Sequence, residues 1–445
     1  MANRCAQPYL KFRSRPFDRS PKNRVIFHKP VNLSRSFLDH VASKHGPSFY
    51  LLDCPRFRYN FTRLTKAFRA FYQKATIAYS YKTNYVPRYC ELVSQLGGYA
   101  EVVSSMEMML AFKLGVPASK VFFNGPYKEH EHVLCLLQAG GTVNVDSWEE
   151  LQRIARSAED HEGEPFKLGL RCNFEVQDGV VSRFGFDTDS QTFLDAVALI
   201  DANRKLTLVG LHCHFATRSL DCWKYRTQGM ITVIERYFRH RLADLTHVSL
   251  GGGMYGDMPD DLKAQFPFPV PNFDDYAAAS ALPLARYFDE IPGSYRPTLI
   301  VEPGTALVAD AMKYVCQVNS IKHVRGRAVV SLTGSSYNIN PNPNRKNMPI
   351  ECFPNPAGAK RTEVNGAYFG GYTCIEGDYL YKGFTGSLSV GDFIVFDDVG
   401  SYSVVMKPPF ILPNVAIVEP LADGEHYKLI KRGENFDDIF STYLF

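Results

Sequence analysis

The sequence is short of the features that mark a partner made of charge, lipid or disulfide. Fifty Lys and Arg against 46 Asp and Glu leave a net charge of only +4 over 445 residues. That surplus is too small for a dedicated nucleic-acid binder, and the balance is far from that of an acidic disordered chain. No apolar run approaches the ~20 residues needed to cross a bilayer, so no membrane association is expected. The ten cysteines stand singly, with no CxxC pair. They predict reduced thiols in a cytoplasmic protein, with neither a disulfide framework nor a zinc cluster. The first thirty residues hold eight Lys or Arg but no apolar stretch and no small-residue cleavage site, which argues against a secretory signal. Internal repeats and low-complexity blocks are missing. Tryptophan is scarce at two residues, so the core must be built on the 32 Phe and 25 Tyr.

What is present is an ordinary globular composition, 45% hydrophobic and 22% charged, long enough for two domains. Residues 1–45 form a basic arm punctuated by proline, with one strand near 24–28 that would join a β domain. Residues 46–311 alternate short apolar runs with amphipathic stretches. After an introductory strand at 48–53, the runs are 76–81, 99–103, 120–124, 142–146, 167–174, 206–215, 247–253 and 298–304. Helical spacing shows at 147–158, through Trp148, Leu151, Ile154 and Ala155, and at 230–242. Strands alternating with helices pair in parallel, and eight of them close a (β/α)8 barrel. Residues 312–445 change texture. Strand-like pieces at 328–332, 392–396, 401–406 and 415–419 are separated by Gly, Pro and Asn turns, which predicts an all-β C-terminal domain. The expected fold is therefore α/β, a TIM-like barrel followed by a β domain.

Working residues of such barrels sit at the C-terminal strand ends. Those ends read Lys82, Glu101, Asn124, Asp146, Arg171, His214, Gly251-Gly252-Gly253 and Glu302. Lys82 is either a solvated or ion-paired lysine closing a strand, or a Schiff-base lysine whose amine is made nucleophilic by a desolvated barrel mouth. The triple glycine leaves backbone amides bare for a phosphate. It also opens a GxGxxG match, set aside because no helix follows Gly256 directly. His212 and His214 share one strand face, but no third ligand is suitably spaced and no metal is expected. His214 would stack on a flat ring or be a satisfied strand histidine. Glu302 ends a buried strand and needs a partner there, either a protonated pyridine nitrogen or an internal cation such as Arg171.

Taken in order, these pieces resemble the fold-type III pyridoxal-phosphate enzymes, the group of ornithine, diaminopimelate and carboxynorspermidine decarboxylases. Tyr79-Ser80-Tyr81-Lys82-Thr83-Asn84 is similar to the family's lysine motif. Glu101-Val102-Val103-Ser104 through Glu107, Val145-Asp146-Ser147 and Ser182-Arg183-Phe184-Gly185 resemble later family stretches, and Leu211-His212-Cys213-His214-Phe215 resembles the strand whose second histidine stacks on the cofactor. Cys374-Ile375-Glu376-Gly377-Asp378 resembles the catalytic cysteine motif, and Gly400-Ser401-Tyr402 the segment whose tyrosine meets phosphate. The resemblance implies pyridoxal 5'-phosphate carried on Lys82 and held by His214, Thr217, Gly251, Gly252, Gly253, Glu302, Gly304, Tyr402 and Arg171. Lys82, His214, Glu302 and Cys374 would be catalytic, with Glu376, Asp378 and Arg345 toward the substrate. It implies decarboxylation of a small-molecule substrate, an amino acid or amino-acid derivative, in a homodimer whose partner subunit supplies the cysteine. The alternatives are a racemase on the same cofactor and an inactive regulatory homologue.

The sequence departs from the family at three places. Ala216-Thr217 stands where Gly-Ser is common, and Thr305 where an arginine usually follows Glu-Pro-Gly. Ile375 stands where an acid grips the distal amine of ornithine or diaminopimelate. The last change argues against a simple diamine-type substrate.

Overall fold

The computed structural model describes residues 32–291, 293, 295–340, 346–356 and 360–445. The strand expected near 24–28 lies outside them, as does Arg345. The chain divides into two compact units. One comprises Asn60–Tyr255 and Pro271–Gly304; the other holds the described residues up to Tyr59, with Gly256–Val270 and Thr305–Phe445.

After β1 (Phe49–Leu52), the first unit runs through β2 (Ala75–Ser80), β3 (Tyr99–Val102), β4 (Val121–Phe123), β5 (Thr142–Val145), β6 (Phe166–Asn173), β7 (Phe186–Asp187), β8 (Leu206–His212), β9 (His247–Ser249) and β10 (Thr298–Val301). Setting aside the two-residue β7, which hangs on β6, eight strands pair in parallel in the order β5-β4-β3-β2-β10-β9-β8-β6. The β5–β6 ladder closes the ring. This is the predicted (β/α)8 barrel, each strand lying within or one residue beyond a run read from the sequence. The runs are apolar because parallel strands are covered on both faces. Crossover helices follow from their caps: Ser104, Ser147, Ser190 and Ser219 each accept an N–H of the first turn. The helix Trp148–Glu159 buries Leu151, Ile154, Ala155 and Ala158 on one face. The predicted 230–242 helix divides differently. An α-helix, Leu220–Val233, passes into a wider turn at Ile234–Phe238 and then a tight one at Arg239–Asp244, broken by non-helical geometry at Arg241.

In the second unit β1 pairs antiparallel with β11 (Met312–Val324) and parallel with a late strand, Ala416–Pro420. It belongs to the β sheet and introduces no barrel. The helix Arg35–His45, inside the stretch read as an arm, packs Phe37, Leu38 and Val41 onto Phe49, Leu51, Val315 and Val418. The segment 401–406 also departs from expectation. Val404 and Val405 favour a strand, but Tyr402 takes a left-handed φ of 62° and turns the chain into a short helix, Ser403–Met406. No helix among the described residues is long and apolar enough to cross a membrane.

Candidate active site

The polar residues of the barrel strands form one connected network. Lys82 follows β2 on a single tight turn, Tyr81–Thr83. Its Nζ donates to Ser80 Oγ at 2.7 Å and to Glu101 Oε2 at 2.6 Å, and Ser80 donates to the same carboxylate oxygen. Lys82 is one-third exposed while Glu101 is almost fully buried, so the pair joins the interior to an open side. Asn124 Nδ2 then links two carboxylates, lying 3.0 Å from Glu101 Oε1 and 3.2 Å from Glu302 Oε1. Asn144 fixes that amide by donating to Asn124 Oδ1 at 2.6 Å.

Glu302, at the end of β10, is buried and heavily bonded. Ser249 Oγ donates to Oε1 at 2.8 Å, and His212 Nε2 lies 3.1 Å from Oε2. Burial opposes the ionised form, but His212, Lys82 and the Ser249 hydroxyl outweigh it and hold this carboxyl well below the usual range. Its partner within the protein is therefore His212. Arg171, offered by the sequence as that partner, instead ion-pairs with Asp146 at 2.9 Å and lies over the Phe184 ring; its expected place at the cofactor is untouched by this.

His214 is half-buried, and its Nδ1 accepts the Gly252 N–H at 3.1 Å. Burial, then Lys82 and Arg226, push its pKa well down, so the ring is neutral. Gly251 and Gly253 have φ of 71° and 90°, where a side chain would strain the backbone. A Cβ on Gly252 would strike the Glu302 carbonyl, and one on Gly304 the Thr83 side chain. The loop thus requires glycine for closeness as well as for turning. Thr217 is half-buried, and its carbonyl accepts from Arg226 at 3.4 Å.

The remaining expected residues lie in the β unit, where β12 (Arg327–Leu332), β13 (Ile350–Phe353), β14 (Thr362–Gly370), β15 (Tyr379–Leu388), β16 (Phe393–Phe396), β17 (Ala416–Pro420) and β18 (Tyr427–Lys431) complete the sheet. Cys374, Ile375 and Glu376 are exposed on the turn between β14 and β15, beside an open depression of about 660 Å³ that Lys322, Arg325 and Arg327 also line. Asp378, expected toward the substrate, is spent on its own turn. It is buried and accepts from the Ser335 hydroxyl, both the N–H and hydroxyl of Ser336, and the N–H and hydroxyl of Thr373. Those five donors commit its carboxylate to fixing the turn. Tyr402 is half-buried beside Ser401, whose hydroxyl lies 2.7 Å from that of Thr305.

Asn124, Asn144, Ser249 and Glu101 carry no role in the reading of the sequence, although two of them are strand ends. Arg226 went unnoticed, yet it carried a signal. It stands on the buried stripe Cys222, Trp223, Arg226, Thr227 and Met230 of its helix, where helical spacing calls for an apolar residue.

Glu107 offers a test of the network's electrostatics. Burial, with Glu101 nearby, raises its carboxyl from 4.5 to about 7 against the opposing Val103 N–H bond and Lys82. The folded state then binds a proton that the unfolded chain releases above 4.5. Its contribution to stability is full below that pH and is lost as pH rises through about 7. Glu107→Gln keeps an acceptor for Val103 and removes the charge. In thermal melts it should match the wild type at pH 4 and be more stable at pH 8.5, by roughly 3 kcal/mol at most. An equal effect at pH 4 and pH 8.5 would contradict the shift.

A strand-end lysine, a clamped ionised carboxylate, a neutral imidazole and a glycine cradle together suit an aldehyde-bearing, phosphorylated pyridine ring, and the fold supplies the scaffold. Comparison with known proteins agrees. Residues 58–309, more than half of the chain, match the family described as pyridoxal-dependent decarboxylase, pyridoxal binding domain. The chain belongs to this family. Diaminopimelate decarboxylase from Methanocaldococcus jannaschii is 26% identical over 396 residues, covering 84% of this chain and 86% of that protein. An L-glutamyl-[BtrI acyl-carrier protein] decarboxylase from Niallia circulans is 26% identical over 444 residues, covering 93% and 97%. The crystal structure of the M. jannaschii diaminopimelate decarboxylase superposes with a TM-score of 0.78 at 25% identity, covering 91% of this chain and 94% of that one. The protein is a pyridoxal-phosphate-dependent carboxy-lyase that decarboxylates an amino acid, and a racemase or an inactive homologue is not favoured.

Proposed function

We propose that Lys82 is the attachment point of pyridoxal 5'-phosphate and that Glu302 sustains its electron demand. The observation that carries this reading is the buried, ionised Glu302 clamped by His212, Asn124 and Ser249 within electrostatic reach of Lys82. When bound, the cofactor supplies an electron sink for the pair released as the Cα–carboxylate bond breaks. Lys82 must give up a proton before its amine can react with an aldehyde, and Ser80 and Glu101 already receive its hydrogen bonds. Glu302, kept anionic, stabilises a protonated ring nitrogen. His214, uncharged and tethered by Gly252, offers a flat face. Gly251–Gly253 and Gly304, with Thr217 and Tyr402, are assigned to the phosphate end. The Cys374 thiol returns a proton to Cα, and Glu376 and Arg345 are assigned to the substrate side.

For the substrate we favour an amino acid or derivative without a free distal ammonium. Ile375 is apolar where the diamine-handling enzymes place an acid, and one relative at similar identity acts on a glutamyl group rather than on diaminopimelate. Carbon dioxide release from carboxyl-labelled amino acids and acylated derivatives tests this. Efficient turnover of ornithine, lysine or diaminopimelate would overturn the substrate reading. No release from any of them, with the cofactor's absorbance near 420 nm absent, would remove the assignment of Lys82.

We further propose a cytoplasmic homodimer with shared sites, in keeping with free thiols at all nine described cysteines and with the family's use of a cysteine from the neighbouring subunit. Mixing inactive Lys82→Ala and Cys374→Ala subunits should restore part of the activity, because one of the two sites in the mixed dimer is intact. Mass spectrometry of the mixture checks that subunits exchanged. Exchange without recovery would place both residues of a site in one chain.

A further inference from the structure

Arg226 is fully buried, on the inward face of Leu220–Val233. Among the described residues it has no carboxylate partner. Its guanidinium is spent on carbonyl oxygens: Nη1 donates to Leu250 at 2.9 Å and Gly252 at 2.7 Å, and Nη2 to Phe215 at 2.9 Å and Thr217 at 3.4 Å. Carbonyl dipoles satisfy the Nη donors, Nε has no partner among the described residues, and a full positive charge is left out of water, a costly arrangement without an anion.

The same contacts orient the glycine loop. Trp223, over whose ring Arg226 lies at 4.3 Å, donates from Nε1 to the Gly253 carbonyl at 3.1 Å. The carbonyls of Gly252 and Gly253 are thus both drawn to the helix. In a planar trans peptide the N–H of the next residue points the opposite way. The N–H groups of Gly253 and Met254 must therefore face away from the helix, and neither donates to any described atom. Two unspent donors on one side of a loop, with an uncompensated cation behind it, make an anion subsite.

We infer that Arg226 builds the cofactor's phosphate subsite from behind, turning the Gly253 and Met254 amides outward and supplying the charge that a phosphate balances. This rests on the pyridoxal-phosphate reading of the site. Arg226 touches no cofactor atom in this account; it is a positioning residue.

The test compares pyridoxal 5'-phosphate with pyridoxal, which lacks the phosphate. Full-length protein freed of cofactor is titrated with each, following absorbance, and the ratio of their dissociation constants measures the phosphate's share of binding. Arg226→Gln should lower the wild-type ratio at least tenfold, and Arg226→Lys, which keeps the charge, should hold it within about threefold. A purely structural arginine would weaken both ligands in parallel and leave the ratio unchanged, which overturns the inference. Should the glutamine variant fail to fold, Arg226→Met, which removes the charge but fills the buried space, decides: a tenfold fall in the ratio supports the inference, and an unchanged ratio overturns it. If the wild type itself binds both ligands equally, the phosphate reading of the loop fails, an outcome separate from failure of Arg226 alone.

Discussion

Lys82→Ala should abolish the absorbance band near 420 nm and lower kcat on the order of 10⁴-fold, the upper end for losing a positioned group that handles a proton. The size of the effect follows from the double duty of one side chain. Lys82 is the amine at the mouth of the barrel, and it is also the cation that holds Ser80 and Glu101 in register. Exogenous methylamine should recover part of the rate, since a free amine replaces the chemistry but not the tether. Wild-type kcat in Lys82→Ala would mean that another lysine carries the cofactor.

The second large effect belongs to Glu302→Gln. Glutamine fits the space, so the cofactor should remain bound with its band intact. Two things change at once. The negative charge is gone, and the amide nitrogen must take either the Oε2 place facing His212 or the Oε1 place facing Asn124 and Ser249. A ring nitrogen without an anionic partner is a weaker electron sink, and kcat should fall on the order of 10²–10³-fold, as when a preorganised electrostatic group is removed. The comparison of interest is between kcat and affinity: turnover should collapse while binding of pyridoxal 5'-phosphate changes little. Near-normal turnover would remove the role of Glu302 and return the racemase chemistry to consideration.

The barrel was legible in the sequence because a strand buried on both faces must be apolar along its length, and eight such runs alternate with capped amphipathic helices. Lys82, Glu302 and the triple glycine could be singled out because each is an unusual residue at the end of such a run. Their partners could not. That Asn124 would bridge Glu101 to Glu302, or that His212 rather than Arg171 would face Glu302, depends on closure of the ring, which brings β4, β8 and β10 residues 90 to 178 positions apart into contact.

The β domain was harder. The paired residues of its strands β1 and β11 stand 260 to 266 positions apart, and nothing local marks that pairing. At 401–406 two valines spoke for a strand, while the left-handed Tyr402 decided the outcome. Asp378 shows a different limit. An acid near a catalytic-type cysteine looks like a substrate contact, and only the surrounding Ser335, Ser336 and Thr373 reveal it as the anchor of its own turn. Arg226 is the converse case, a charge that amphipathic spacing flags as misplaced but whose purpose depends on a loop 25 residues further on.

Borohydride reduction of the holoenzyme followed by peptide mapping tests the central assignment most directly, because it fixes the cofactor to whichever amine holds it. The pyridoxyl group should be found on the peptide containing Lys82 and on no other. Recovery of the label on a different lysine, or a reduced enzyme with no pyridoxyl-lysine at all, would contradict it.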